Sequence, residues 1–153
     1  QVKPLLLENY SMRDRIVAVA RLWIDTPYCH QASCKGQGAD CLGLVRGVWR
    51  EVIGPEPETL KPYTPDWAET SRDETLLGAA HRHFIPQIQD DFVGGDLLVF
   101  RWQPNLPAKH IAIATSRSTM IHAHQGVRVC EVNLTPWWRR HLVAAFAFPQ
   151  VSS

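Results

Sequence analysis

Four cysteines are the residues with the clearest capacity for chemistry in this chain, and three of them fall close together. Cys29, Cys34 and Cys41 lie within thirteen residues, whereas Cys130 stands far away. Cys41 directly follows Asp40 at the start of a predicted helix, where backbone N–H groups and the helix dipole favour a thiolate. Because the thiolate is the nucleophilic form, Cys41 is a candidate catalytic nucleophile, with a buried structural cysteine as the alternative.

A nucleophilic cysteine needs a base, and two β-prone segments carry histidines that could serve. His110 opens the first segment, where its ring could face a cleft, although an ordinary surface histidine fits the same pattern. His122 and His124 share one face of the next predicted strand by two-residue alternation. Antiparallel pairing would bring one of them beside His110, where it could orient the imidazole. The pattern allows a Cys–His–His site and leaves the third member open.

The same cysteine cluster raises the alternative of a metal site. Cys29, His30, Cys34 and Cys41 offer four potential ligands. Their spacing fits none of the familiar zinc patterns, which pair two ligands closely and place a second pair further on. We therefore expect no metal and no cofactor. A disulfide between Cys29 and Cys34 also remains open, because the sequence does not fix the distance between them.

Helical patterns occupy the first half of the chain. Ser11 is a predicted N-cap, and Thr26-Pro27 is expected to end the helix that follows it. A later helix is predicted to start near Ser71, with Glu74 completing a capping box. Residues 28–39 carry no periodicity and are predicted to form a loop.

The helix between these two carries the candidate nucleophile. It is predicted to run from Asp40 to about Val52, with an apolar stripe that includes Cys41. Gly43 and Gly47 lie inside it, and each costs about 1 kcal/mol relative to alanine in a helix interior. We expect the close approach of another backbone to compensate for both.

Short β-prone runs separated by turn residues fill the second half of the chain. The five predicted strands cover residues 96–101, 110–115, 119–123, 127–132 and 143–148. Helices followed by strands at hairpin-like spacing predict an α+β fold in which N-terminal helices pack on an antiparallel sheet. An alternating βαβ fold does not fit this order.

Composition and length narrow the functional classes. A chain of 153 residues is typical of one domain, here 1–153, with a core of its own. Sixteen Lys+Arg against fifteen Asp+Glu give a net charge of +1, which offers no support for a nucleic-acid partner. The N-terminal apolar run covers only Leu5 to Leu7, so neither a signal peptide nor a transmembrane segment is predicted.

Five motifs, in this order, resemble those of the NlpC/P60 cell-wall peptidases, and the resemblance covers residues 11–148. The motifs are Thr26-Pro27-Tyr28, Gly38-Ala39-Asp40-Cys41-Leu42-Gly43-Leu44-Val45, Gly95-Asp96-Leu97-Leu98-Val99-Phe100, Lys109-His110-Ile111-Ala112-Ile113 and Met120-Ile121-His122-Ala123. The resemblance implies a papain-like α+β fold, with the nucleophile at the start of a helix packed on an antiparallel sheet.

The resemblance also implies roles for individual residues. Cys41 would be the nucleophile, His110 the base and His122 the orienting residue, since His122 occupies the histidine of the family's Ile-His-Ala motif. Tyr28 matches a tyrosine that lines the substrate site. The implied reaction is acyl transfer from a peptidoglycan stem peptide to water, at the bond between γ-D-glutamate and the diamino acid.

Two positions depart from the family pattern beside the expected site. Leu42 stands where the family often has serine after the nucleophile. Residues 29–31 are Cys-His-Gln where the family often has Trp-Gly-Gly after the tyrosine. Both departures affect the expected substrate subsites more than the chemistry.

Three further segments resemble the branch of the family encoded in phages, prophages and gene transfer agents. These are His30-Gln31-Ala32-Ser33, Arg46-Gly47-Val48-Trp49-Arg50-Glu51 and Tyr63-Thr64-Pro65-Asp66-Trp67. That branch implies tail proteins as partners, synthesis in the cytoplasm, and action at the bacterial cell wall from the virion or tail. The alternatives are a thiol amidase or acyltransferase on the same fold, or a non-catalytic component for tail assembly or wall binding.

Overall fold

The computed structural model of this chain describes residues 11–57 and 74–150. In that part of the chain the helices are α1 (Met12–Arg21), α2 (Cys41–Val52), α3 (Thr75–His83) and α4 (Pro136–His141). The strands are β1 (Ser33–Cys34), β2 (Gly38–Ala39), β3 (Ile85–Gln87), β4 (Asp96–Phe100), β5 (His110–Ala114), β6 (Thr119–His124), β7 (Val127–Asn133) and β8 (Leu142–Ala147). No helix in these two stretches is both long and apolar enough to cross a membrane.

One antiparallel sheet carries the fold. Its strand order is β3-β8-β4-β5-β6-β7, so β4 to β7 form a meander and β8 returns to pair with β4. The helices precede most of the sheet, as the sequence predicts. The structure therefore confirms the α+β prediction, and each of the five predicted strands is found within one residue of its expected ends.

Several short elements were not predicted. The segment predicted as a loop contains a two-residue hairpin in which β1 pairs with β2. β3 includes Pro86 and lies at the sheet edge, the position where a strand tolerates proline. The helix α4 has only six residues. None of these segments is long enough to display a clear periodicity.

The helix α2 packs its apolar stripe into the core, and its two glycines permit this approach. A Cβ on Gly43 would lie 1.8 Å from the carbonyl oxygen of Ala32, so the predicted backbone contact is present there. A Cβ on Gly47 would lie 2.0 Å from the Cζ2 atom of Trp23. At Gly47 the prediction of a close backbone contact was wrong, because the buried Trp23 indole fills that space.

The helices on either side of α2 begin differently. The Ser11 hydroxyl caps α1 by accepting a hydrogen bond from the backbone N–H of Asp14 at 3.1 Å. The predicted start at Ser71 lies outside the described residues. Glu74 precedes α3 but makes no side-chain cap, and its carboxylate accepts hydrogen bonds from Arg101 and from the backbone N–H of Ala108. This carboxylate links α3 to the segment before β5.

Candidate active site

Cys41 is the first residue of α2, and the preceding aspartate fixes its position. The Asp40 carboxylate accepts hydrogen bonds from the backbone N–H groups of Gly43 and Gln31, both at 2.7 Å. An aspartate N-cap stabilises a helix by about 1 kcal/mol relative to alanine. Because the second bond reaches back into the preceding loop, Asp40 holds the loop and the helix start together around Cys41.

Two buried histidines face each other across the neighbouring strands β5 and β6. The Nε2 atom of His110 lies 2.9 Å from the Nδ1 atom of His122, and the two residues are only 3% and 4% exposed. The β5–β6 ladder pairs Ile113 with Ile121, and its continuation would place His124 opposite His110. His124 is instead exposed, with its ring centroid 5.7 Å from that of His110.

The thiol of Cys41 lies against β5, at the backbone of Ile111. The backbone of Ile111, the residue after His110, forms a hydrogen bond that lowers the pKa of Cys41. A backbone N–H has this effect by donating to the sulfur. The helix α2 therefore presents its N-terminal thiol to the end of β5 at which His110 stands.

The structure favours uncharged groups in the resting site. The pKa of Cys41 is raised to about 12, first by burial and then by the nearby Asp40 carboxylate, and the backbone hydrogen bonds to the sulfur oppose this rise only in part. Burial, then the neighbouring His122 and His124, hold the pKa of His110 well below its usual range. Burial and then His124 lower the pKa of His122 to about 4. The expected thiolate is therefore not the resting form, because burial outweighs the helix N-terminus.

The neutral histidine pair can leave one ring nitrogen available as a base. Two neutral imidazoles share a single N–H across the contact between His110 Nε2 and His122 Nδ1. When His110 donates that hydrogen, its own Nδ1 carries no proton and can accept one from a thiol. The histidine pair can therefore supply a base.

Tyr28 also belongs to this region. Its backbone forms a parallel bridge to Ala39, two residues before the nucleophile. Burial raises the pKa of the Tyr28 hydroxyl, and the nearby Asp40, Cys41 and Cys29 add to the effect. The hydroxyl is therefore protonated at neutral pH and lies close enough to Cys41 to be electrostatically coupled to it.

Trp102 and Trp138 adjoin the histidine pair, and Trp137 contacts both of these indoles without touching the pair. We call the three residues the tryptophan cluster. The Trp102 ring is stacked on His110 with centroids 5.2 Å apart, and the Trp138 ring is stacked on it at 5.6 Å. Trp138 also meets His122 edge-on at 5.2 Å. The sequence reasoning missed these residues. The available signal was six tryptophans in 153 residues, two of them adjacent.

The remaining cysteines have other positions. All four cysteines are free, with Cys29 and Cys34 exposed, so neither forms the disulfide that the sequence left open. Cys130 was expected in the core, but Val129 fills that position on β7 and Cys130 is half-buried. Across residues 11–57 and 74–150, no group of three or more His, Cys, Asp or Glu side chains has a geometry that could hold a metal ion.

Arg46, on the helix α2, is engaged in an ion pair. The Nε atom of Arg46 donates to Glu56 at 2.6 Å, and Arg50 donates to the same carboxylate at 3.0 Å. Both arginines lower the pKa of Glu56, although burial opposes them. Arg46 is therefore engaged with Glu56 on the surface of α2, so we assign it no part in catalysis.

We expect the buried histidines to make stability depend on pH. The fold lowers the pKa of His122. The neutral imidazole therefore contributes fully to the stability of the folded protein above about pH 6.5, the ordinary pKa of a histidine. This contribution is lost as the pH falls through about 4. The contribution is about 3 kcal/mol. Urea unfolding at pH 7.5 and pH 4 should show this loss in the native protein and a smaller one in His122→Gln. His141→Gln serves as the control, and an equal loss in native protein and His122→Gln would contradict the assignment.

This α+β domain has a thiol at the N-terminus of a helix and a hydrogen-bonded histidine pair on the adjoining sheet. These features define a class of protein that can combine a nucleophile with a base. The NlpC/P60 family matches residues 25–146, and the chain belongs to that family. Members of the family are cysteine peptidases and peptidoglycan hydrolases. No curated protein matches the chain.

Solved structures show the same fold at low sequence identity. The NlpC/p60 domain of the peptidoglycan hydrolase SagA has a TM-score of 0.62 and 24% identity, covering 89% of this chain and 98% of that one. An NlpC/P60 family protein from Bacillus cereus has a TM-score of 0.64 and 19% identity over 89% of this chain. NlpC2 from Trichomonas vaginalis has a TM-score of 0.64 and 16% identity over 97% of this chain. The chain spans only 40% of the Bacillus protein and 50% of NlpC2.

Proposed function

We propose that this chain is a cysteine endopeptidase that hydrolyses peptidoglycan stem peptides. The observation that carries the proposal is the 2.9 Å contact between His110 and His122 at the strand end that faces the Cys41 thiol. Membership of a family of cysteine peptidases and peptidoglycan hydrolases supports it. The bond we propose joins γ-D-glutamate to the diamino acid.

In this mechanism the base and nucleophile act in one step. His110 takes the thiol proton on Nδ1 while the Cys41 sulfur attacks the amide carbonyl, since burial disfavours a thiolate beforehand. The carbonyl carbon gains the C–S bond and its oxygen becomes an oxyanion. The backbone N–H at the start of α2 would stabilise that charge, because a helix N-terminus favours a developing anion.

Breakdown of the tetrahedral intermediate uses the proton held on His110. His110 passes it to the leaving amine, the C–N bond breaks, and a thioester on Cys41 remains. His110 then removes a proton from water, which attacks the thioester and releases the acid product and the thiol. Throughout, His122 stabilises the imidazolium by accepting its Nε2–H on Nδ1, the geometry seen in the resting pair.

The substrate side of the site is assigned to Tyr28. Its hydroxyl is coupled to Cys41 and remains protonated, so it can donate a hydrogen bond to a substrate carbonyl or carboxylate. We also propose that the protein acts at the bacterial cell wall from a phage, prophage or gene-transfer-agent tail, with tail proteins as partners. The motif resemblance alone supports that part.

Defined muropeptides test the proposal. The native protein should release a fragment ending in γ-D-glutamate from L-Ala-γ-D-Glu-diamino acid substrates, as identified by mass spectrometry. The matched control carries an α-linked D-glutamate and should remain uncut. Release of ammonia, or transfer of the acyl group to an added amine, would favour an amidase or acyltransferase. An absence of any product would favour a non-catalytic role.

The two candidate orienting histidines should differ in importance. We expect His122→Ala to lower kcat/KM about 100-fold or more, because it removes the partner of His110 Nε2. His124→Ala should cost less than about fivefold, because an exposed ring that only neighbours the pair supplies no positioned hydrogen bond. Steady-state kinetics on one muropeptide compares them. A larger loss in the His124 variant would reverse the assignment.

A further inference from the structure

The indole of Trp138 lies against both members of the histidine pair. Its ring centroid is 5.6 Å from that of His110 and 5.2 Å from that of His122, while the two imidazole centroids are 5.1 Å apart. The three rings therefore form a nearly equilateral triangle. One side of that triangle is the pair joined by the hydrogen bond.

The indole of Trp138 lies between the histidine pair and solvent. His110 and His122 are almost fully buried, whereas Trp138 is half-buried. Trp102 does not cover the opposite face of His110, because its centroid is only 5.9 Å from that of Trp138. The two indoles lie side by side, and Trp138 is the one that contacts both imidazoles.

Hydrogen bonds at both ends of the short helix α4 hold Trp138 in place against the histidine pair. The Arg139 side chain donates hydrogen bonds to the carbonyls of Leu134 and Arg117, at 3.1 and 2.9 Å. At the other end of the helix, the His141 carbonyl accepts from the backbone N–H of Arg101 at 2.9 Å. Edge-on packing against Phe100 at 5.1 Å supports the indole from behind.

We propose that Trp138 is a positioning residue that shields the His110–His122 hydrogen bond from water and fixes the two rings. This inference rests on the proposed function for its catalytic meaning, but the shielding is a property of the folded chain. A dry hydrogen bond between imidazoles is stronger than a solvated one, and water would compete for both nitrogens. Removal of the indole admits water without touching the thiol.

The experiment compares Trp138→Ala with Trp137→Ala. Trp137 is the adjacent aromatic residue, is 44% exposed, and contacts Trp102, Trp138 and His141. NMR titration of the imidazole nitrogens should show higher pKa values for His110 and His122 in Trp138→Ala. Exchange of the shared ring proton with water should be about tenfold faster or more. Trp137→Ala should match the native protein in both measurements.

Kinetics provide the second measurement. Trp138→Ala should lower kcat about 100-fold with KM nearly unchanged, because a displaced imidazole affects the chemical step. Trp138→Phe, which keeps a ring over the pair, should recover most of the activity. Because the titration needs no substrate, it tests the shielding even if the chain cleaves no stem peptide.

Native-like titration and proton exchange in Trp138→Ala would overturn the proposal, as would equal changes in Trp137→Ala. Should Trp138→Ala fail to fold, Trp138→Leu takes its place. Leucine preserves apolar bulk but covers less of the pair, so it should still raise both imidazole pKa values and speed proton exchange. A folded Trp138→Leu with native values would reject the shielding role.

Discussion

Cys41→Ala should lower the turnover of a stem-peptide substrate by about 100,000-fold, because the variant has no sulfur with which to form the thioester. The loss should appear in kcat, with substrate binding largely retained. The change removes a single heavy atom, so the free energy of unfolding should change by about 1 kcal/mol. Circular dichroism and urea unfolding can verify that the fold is intact.

The matched control for this variant is Cys34→Ala. Cys34 is a free thiol too, but it is exposed on the short strand β1. It should retain native turnover in the same muropeptide assay, which would show that the loss belongs to one sulfur. Equal turnover by the native protein and Cys41→Ala would reject Cys41 as the nucleophile.

Gly43→Ala should destabilise the protein by about 2 kcal/mol, although alanine is the better helix former. The new Cβ would lie 1.8 Å from the backbone oxygen of Ala32, so either the loop or the helix must move. Relief of that overlap disturbs the Asp40 cap and hence the position of Cys41. We therefore expect kcat/KM to fall as well, by about 100-fold for a displacement near 1 Å.

Gly78→Ala gives the matched comparison for stability. Gly78 lies inside α3, and a Cβ there meets only the Nη1 atom of Arg82 at 3.5 Å, an ordinary contact. This substitution should stabilise the protein by up to about 1 kcal/mol through helix propensity alone. Urea unfolding of both variants is the measurement. If Gly43→Ala proved as stable as Gly78→Ala, the close contact with Ala32 would not exist in solution.

The central part of the fold could be predicted because its signals are local. The strands from β4 to β8 are apolar or alternating runs that turn residues separate, and α2 combines an apolar stripe with an aspartate cap. Each pattern is contained within a few residues of the chain. Elements without such a pattern, including the hairpin of β1 and β2, could not be found in this way.

Local sequence patterns could not decide whether His122 or His124 is the partner of His110. The β5–β6 ladder contains only the pairs Ile113–Ile121 and Ala114–Met120, so it ends before it reaches the two histidines. On the other side of β6, the pairing with β7 has a register shift between His122 and His124. The hydrogen bond to His110 is therefore a diagonal contact that regular pairing does not predict. Sequence alternation placed both histidines near His110 but could not distinguish them.

The charge state of the site was also outside the reach of local reasoning. The start of a helix lowers a thiol pKa, and that effect is visible in the sequence. The opposing effect is burial, which depends on packing against β5, a strand about seventy residues further along the chain. The tryptophan cluster is a similar case, because Trp102 and Trp138 meet the histidines only in the folded sheet.

The uncharged resting state of Cys41 affects the order in which the cysteines of this protein are oxidised. Peroxides and disulfides attack thiolates, so a sulfur with a pKa of about 12 reacts slowly with them while no substrate is bound. Cys29 and Cys34 are exposed in the preceding loop and hairpin, so an oxidant reaches them first. We therefore expect oxidation to begin at Cys29 and Cys34 and to reach Cys41 last.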